Sequence, residues 1–562
     1  MPLTPPGSDS TGAGGPPEDI SPDHTAFDAV VDAWIYDELA AEPVEATMLG
    51  ADGDHGSLGD WSAAAIEDRQ RGDHRWLERL NRLDQTHLDV DRRIDLGLLQ
   101  SVLRGREVML DWELWRRDPA VYLDPCLHGV FVLFLNRIFP ESALVKYAES
   151  RLRQVPDVVA SARENLQVEL ANPIICERGL GQAKAAVTYF RKLLPAEVAD
   201  AALRSKLAEA GEVAASSMEH LVGDLEALTD SGRGGYAIGD ERYSALLTEK
   251  EMLGYGAEEL RGRGRSEWEV LDEQMTELAR EVDPSARGWR QVVESLNDDH
   301  AATPEEMLAA YKEWTERARR FCAENGLVTL PEGEECLVEP SPPFQRPILA
   351  VASYSSPPPF RPGLTGHFFV PWPPEGTTPD DIQKRLASNS FHSIPTISVH
   401  EAYPGHHWHL TWMKSNPRRV RKMLWSSYFA EGWALYTEKM MNEQGFLEDA
   451  RARLCHLDAR IFRAARIVVD TGLHIGDLDV EEAVTFMRTR ASLPEPVARA
   501  EVGRYCSWPT QASSYLTGSL EIERLRGEYL ARRLGDMREF HDQLCSTGSM
   551  PLGLAELALW ES

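Results

Sequence analysis

Five of the sixteen histidines lie between His392 and His409: His392, His400, His406, His407 and His409. Neutral imidazole nitrogens are common ligands for transition metals. The segment reads His400-Glu401-Ala402-Tyr403-Pro404-Gly405-His406-His407, behind the apolar run Ile394 to Val399. A His-Glu pair behind such a run is the opening of a HExxH zinc site, in which two histidines share a helix face and the glutamate acts on water. The match is imperfect, because position 404 is proline and the next histidines come six and seven residues after His400. On an ideal helix seven residues advance about 10 Å, too far for two ligands each about 2 Å from one ion. Pro404-Gly405 supplies a break that can bring them together. Spacing alone leaves both His406 and His407 open as the second ligand.

A third ligand is expected from Phe429-Ala430-Glu431-Gly432-Trp433-Ala434-Leu435-Tyr436. Glu431 sits in an otherwise apolar helical stretch, where a carboxylate is costly unless paired or metal-bound. Pairing with a nearby arginine is the plainer alternative. Gly432 removes a side chain beside it, and Glu438, two turns on, is placed to support a ligating histidine. Two histidines and a glutamate with an open fourth position make a catalytic, not a closed structural, zinc site. Manganese or cobalt are alternatives for such nitrogen and oxygen donors.

These residues resemble the bacterial domain-of-unknown-function family marked HExxPGHH, number 885 in its series. The resemblance extends to Val468-Val469-Asp470-Thr471-Gly472-Leu473-His474, to Glu501-Val502-Gly503-Arg504-Tyr505, to Phe540-His541-Asp542 and to Met550-Pro551-Leu552. That family is similar in fold to the zinc carboxypeptidases of the Taq type. The resemblance implies a mainly α body with a deep central groove, and a gluzincin-like zinc centre of His400, His406 and Glu431. Treating Pro404-Gly405 as an insertion into the shorter motif favours His406 over His407. Glu431 follows His400 by about thirty residues, as the resemblance requires. The chain departs from the family's Pro-Gly-Gln-Ala-Leu-Ser-Tyr-Lys: Thr510 replaces the glycine and Leu516 the lysine.

The expected chemistry is hydrolysis of short peptides, in a carboxypeptidase or dipeptidase manner. Zn2+ would activate water and Glu401 would act as general base, then acid. Tyr515, His407 and His474 are candidate oxyanion donors. Arg504 or Arg466 are candidates to clamp a substrate carboxylate. Each has a plainer reading: an arginine near Glu501 as an ion pair, His474 as a helix-end residue. Trp408, Trp412, Trp425 and Trp433 are expected in the core. Rival functions are a zinc amidase or esterase on a non-peptide small molecule, and a non-catalytic relic that keeps the metal.

The elements that must position these groups are mostly helical. Phe27, Val30, Val31, Trp34 and Ile35 recur at helical spacing. Helical stretches are expected over about 63–117, interrupted afterwards at Asp124-Pro125, then over 141–170, 195–228 and 304–325, with Thr303 as an N-cap. Ser231 to Gly235 reads as a turn. Between 331 and 378 twelve prolines exclude a continuous helix. The runs Ile348–Tyr354 and His367–Val370 suggest a small β insertion leading to the metal segment, 394–440. Residues 1–22, rich in Pro, Gly, Ser and Thr, are expected as a disordered tail, and 23–562 as one metallohydrolase body.

Net charge is −31, with 59 basic and 90 acidic residues among 562. Such a chain is repelled by phosphate backbones and anionic lipid, so neither nucleic acid nor membrane is expected as a partner. A homodimer is compatible with a large acidic helical chain. Seven scattered cysteines without a CxxC pair, and no signal-peptide pattern, point to the cytoplasm.

Overall fold

A computed structural model of the chain describes residues 22–561 except 344 and 347–350. Nearly all of the tail expected at 1–22, and residues 348–350 of the strand expected at Ile348–Tyr354, lie outside the described residues. The rest is mainly α-helical with one three-stranded sheet, the expected fold class.

The first helix, Pro22–Ala41, buries the expected stripe of Phe27, Val30, Val31, Trp34 and Ile35. The polar stretch from 63 is two helices, Ala63–Asn81 and Val90–Val108, not one. Between them the Asp84 carboxylate accepts the Thr86 backbone N–H at 2.9 Å, turning the chain, and Asp89 then caps the second helix. Asp124-Pro125 does not interrupt the chain as expected. The helix Ala120–Asn136 runs through Pro125 and buries Leu123, Cys126, Val130 and Leu133. A proline inside a helix costs ~3 kcal/mol, whereas each fully buried aliphatic side chain returns ~1.5–3 kcal/mol, so burial decides. Helices Glu141–Asn165, Ala201–Ser231 and Pro304–Glu324 fall where periodicity places them. Thr303 caps the last by accepting the Glu306 N–H at 3.2 Å.

All three strands lie inside the proline-rich window: β1 Glu335–Pro340, β2 Ser353–Ser355 and β3 Thr365–Val370. Their order is β1-β3-β2, with β1 parallel and β2 antiparallel to the central β3. Val338 pairs with Phe368, and Tyr354 also pairs with Phe368 from the other side.

Buried apolar side chains form two clusters. The smaller draws on residues between Leu58 and Leu225; the larger takes the N-terminal helices and the chain from Ile238 onward. The chemistry-bearing segments lie in the larger. There the helices Ser427–Glu443 and Ser514–Ala531 approach at two glycines: a Cβ on Gly432 would lie 2.5 Å from the Gly518 Cα. This close crossing brings Glu431 and Tyr515 to one region. The helices Ala450–Ile475 and Pro304–Glu324 pack, with Ser427–Glu443, against Ile394–Glu401, so three helices enclose the histidine segment. Among the described residues no helix is long and apolar enough to cross a membrane.

Candidate metal centre

The helix Ile394–Glu401 ends where the sequence breaks it. Tyr403-Pro404 is a cis peptide, and the Gly405 N–H donates back to the Val399 carbonyl at 3.1 Å. A Cβ on Gly405 would lie 2.0 Å from the His400 carbonyl oxygen, so only glycine allows this return. The Trp433 indole N–H donates to the Pro404 carbonyl at 2.8 Å, tying the break to the Glu431 helix. A new helix, His406–Lys414, then starts beside the first.

This doubling back sets the rings of His400 and His406 with centroids 4.8 Å apart and planes at 88°. One Glu431 carboxylate oxygen lies 3.7 Å from His400 Nε2 and 3.4 Å from His406 Nε2. The three donor atoms all lie within 4.8 Å of one another. Tetrahedral ligands about 2.0–2.2 Å from one ion are about 3.4 Å apart, so the donor set fits a single divalent metal. The three side chains are 10%, 14% and 19% exposed, enough for a ligand to reach the open side.

His400 is aimed from behind. Its Nδ1 bonds Glu438 at 2.7 Å, so Nε2 is the nitrogen turned toward Glu431. His456 stands 3.6 Å from the other Glu438 oxygen. Burial pulls the His400 pKa down, but the hydrogen bonds and charges of Glu431 and Glu438 override it and lift the pKa to about 10. Burial likewise pushes both carboxyls up, yet their histidine partners hold Glu431 and Glu438 below the ordinary range.

Glu401 differs. It is half-buried, and its side chain makes no hydrogen bond or ion pair among the described residues. Burial raises its pKa, against the pull of His400 and His406. A carboxyl beside the ligands, unpaired and shifted toward neutrality, is suited to exchange protons.

His407 points elsewhere. Its Nε2 bonds Glu334 at 2.7 Å and its Nδ1 accepts from the Tyr354 hydroxyl at 2.9 Å, with the side chain fully buried. The Tyr403 hydroxyl also donates to Glu334, and Arg319 Nε donates to the other oxygen at 2.8 Å. His407 therefore braces the loop, and both ring nitrogens are spent; it is no second ligand and no oxyanion donor. Glu334 was not expected as a functional residue, since Pro331-Glu332-Gly333-Glu334-Glu335 reads as a charged surface turn. Its partners Tyr403 and His407 are 69 and 73 residues away in the chain, and no local pattern announces them.

Tyr515 is half-buried, with Gln511 donating to its hydroxyl at 3.5 Å and the Arg466 guanidinium 4.9 Å from its ring centre. Burial first, then the charge of Glu431, raises its pKa, which places hydroxyl and ligand in one field. Arg466 and Arg504 both donate to Glu501, at 2.9 and 3.1 Å, so the ion-pair reading holds for both. Against the pull of burial, they and Tyr505 hold Glu501 down at about 2. His474 is a buried core histidine, its Nε2 2.9 Å from the Tyr505 carbonyl and 3.8 Å from Asp470, with no contact to the metal residues. It is thus not an oxyanion donor. Trp408 and Trp433 are core, stacked at 5.4 Å, and Trp412 packs against Trp408, but Trp425 is 58% exposed.

The two departures differ in kind. Leu516 is fully buried among core side chains. Thr510 has φ +70°, a left-handed conformation natural to glycine and strained for a β-branched residue.

Two solved structures share this fold. One is a candidate lipoprotein of unknown function from Shewanella oneidensis, at 20% identity and TM-score 0.78, covering 94% of this chain and 98% of that one. The other is a candidate lipoprotein from Colwellia psychrerythraea, at 18% identity and TM-score 0.81, covering 96% and 99%. No curated protein matches. A family model described as "Bacterial protein of unknown function (DUF885)" matches residues 43–559, and the chain belongs to that family.

Proposed function

We propose that the protein is a zinc-dependent hydrolase of the metallopeptidase type, cleaving amide bonds of short peptides. The observation that carries this is the convergence of His400, His406 and Glu431 within 4.8 Å, beside an unpaired Glu401. The HExxPGHH signature and the similarity it suggests to Taq-type zinc carboxypeptidases support the same reading. Bound there, zinc supplies Lewis acidity toward a carbonyl and toward water. Glu401 takes the proton of the attacking water on a carboxylate oxygen and hands it to the leaving amine. Glu438 keeps the His400 ring in the tautomer that offers Nε2. Tyr515, close enough to feel Glu431, donates its hydroxyl to the polarised carbonyl oxygen.

The test is Glu401→Gln assayed on a panel of short peptides. Wild type hydrolyses members of the panel; the variant keeps its zinc and loses at least a hundredfold in rate, the low end of a general-base contribution. Persistent activity in Glu401→Gln removes the proton-transfer role. Seven unpaired cysteines support a reducing compartment, while the two solved structures are called lipoproteins; cell fractionation decides between cytoplasm and envelope.

A further inference from the structure

The helix Ala450–Ile475 carries arginines at three successive turns, Arg460, Arg463 and Arg466. Two are neutralised. Arg460 bonds Glu523 at 2.5 Å and Ser519 at 3.1 Å. Arg466 bonds Glu501 at 2.9 Å and Tyr505 at 3.1 Å. Arg463, between them, has no carboxylate within ion-pair distance among the described residues. One terminal nitrogen donates to the Ala459 carbonyl at 3.0 Å, a turn back on its own helix, and its Nε is buried with no partner. A half-buried guanidinium left in this state forgoes the charge-assisted bonds that usually repay its desolvation.

Its surroundings say what it faces. Its guanidinium carbon lies 5.8 Å from the Tyr515 ring centre, while Arg466 approaches the same ring at 4.9 Å. Its charge is felt at Glu438, the residue that aims His400. Arg466 and Arg504 share one carboxylate, Glu501. Of the three guanidinium groups near Tyr515, two are thus held by one carboxylate and Arg463 by none. The other acids nearby are taken up or set apart: Glu438 is bonded to His400, Glu431 faces His400 and His406, and Asp458 lies outside ion-pair distance of Arg463, its carboxyl pushed by burial up to about 7. In a chain of net charge −31, a guanidinium left without a carboxylate partner beside the proposed reaction site is a seat for an anion.

We infer that Arg463 receives a carboxylate of the substrate, beside Tyr515, and so selects acids over their amides; this rests on the hydrolase reading for what is then cleaved. The planar guanidinium offers two parallel N–H donors to a carboxylate. Arg504 and Arg466, already held by Glu501, supply field more than contact.

The test is calorimetric titration of the full zinc-loaded chain with three probes. N-acetyl-phenylalanine carries an α-carboxylate, N-acetyl-glutamic acid α-amide a side-chain carboxylate, and N-acetyl-phenylalanine amide none. At least one acid should bind tenfold or more tighter than the amide, and the tighter acid tells which carboxylate is read. Arg463→Gln should abolish that preference without changing zinc content or melting temperature, and Arg463→Lys should restore part of it. Equal binding of acids and amide, no binding of either acid, or an unchanged preference in Arg463→Gln overturns the inference. Titration is independent of turnover. Acid-selective binding without hydrolysis of any peptide therefore leaves the seat standing and sinks the hydrolase reading, and hydrolysis without acid selectivity does the reverse.

Discussion

His406 and His407 are neighbours in sequence and opposites in situation. Around His407, Glu334, Tyr403, Tyr354 and Arg319 close a buried network in which both ring nitrogens have partners. Around His406, the nitrogen facing Glu431 stands 3.4 Å from a carboxylate that is itself 3.7 Å from His400. Both are histidine–glutamate pairs. The first is saturated and needs nothing more; the second converges on a point at distances set for a shared ion. Saturation marks a brace and convergence the proposed ligand set, and the Pro404-Gly405 break hands one histidine to each.

The comparison is broken most severely by taking the brace apart. His407→Ala leaves Glu334 buried with one partner fewer, and removing one side of a buried charged pair costs about 3–5 kcal/mol. Chemical denaturation should show a loss of that order, while folded His407→Ala still binds zinc. A loss of zinc with unchanged stability would exchange the roles of the two histidines.

Next in size is the support behind the ligand. Glu438→Gln should keep the fold but weaken zinc binding by about 10–100-fold, as removal of a partner behind a ligating histidine does. Competition with a chromophoric chelator measures it. An unchanged affinity would mean that His400 needs no aiming.

The smallest effect tests the backbone near Tyr515. Thr510→Gly should raise stability by about 1 kcal/mol, since relief of a left-handed β-branched residue outweighs the extra freedom of glycine in the unfolded chain. Thermal melts decide the sign. A loss of stability would show that Thr510 side-chain packing outweighs its φ.

What the sequence reveals of this site follows from how local each signal is. The convergence of His400, His406 and Glu431, the proposed ligand set, is legible because His400 and His406 share one short segment, and because Glu431 is a charge in an apolar helix. The proline-rich window announces strands for the same reason, since twelve prolines leave no room for a helix. Glu334 is invisible because its partners His407, Tyr403 and Arg319 meet it only after folding. His474 misleads because a histidine in a motif-like stretch reads the same whether it faces a substrate or the Tyr505 carbonyl. Pro125 misleads because local cost is visible and tertiary burial is not. Arg463 is legible only by subtraction, once Arg460 and Arg466 are seen to be paired.

The central claim is that one metal ion is held by His400, His406 and Glu431. Elemental analysis of the purified chain, of His406→Ala and of His407→Ala tests it directly. The account predicts about one zinc per chain in wild type, loss of it in His406→Ala and retention in folded His407→Ala. Wild type without a transition metal after zinc loading, or a His406→Ala protein that keeps its full complement, contradicts it.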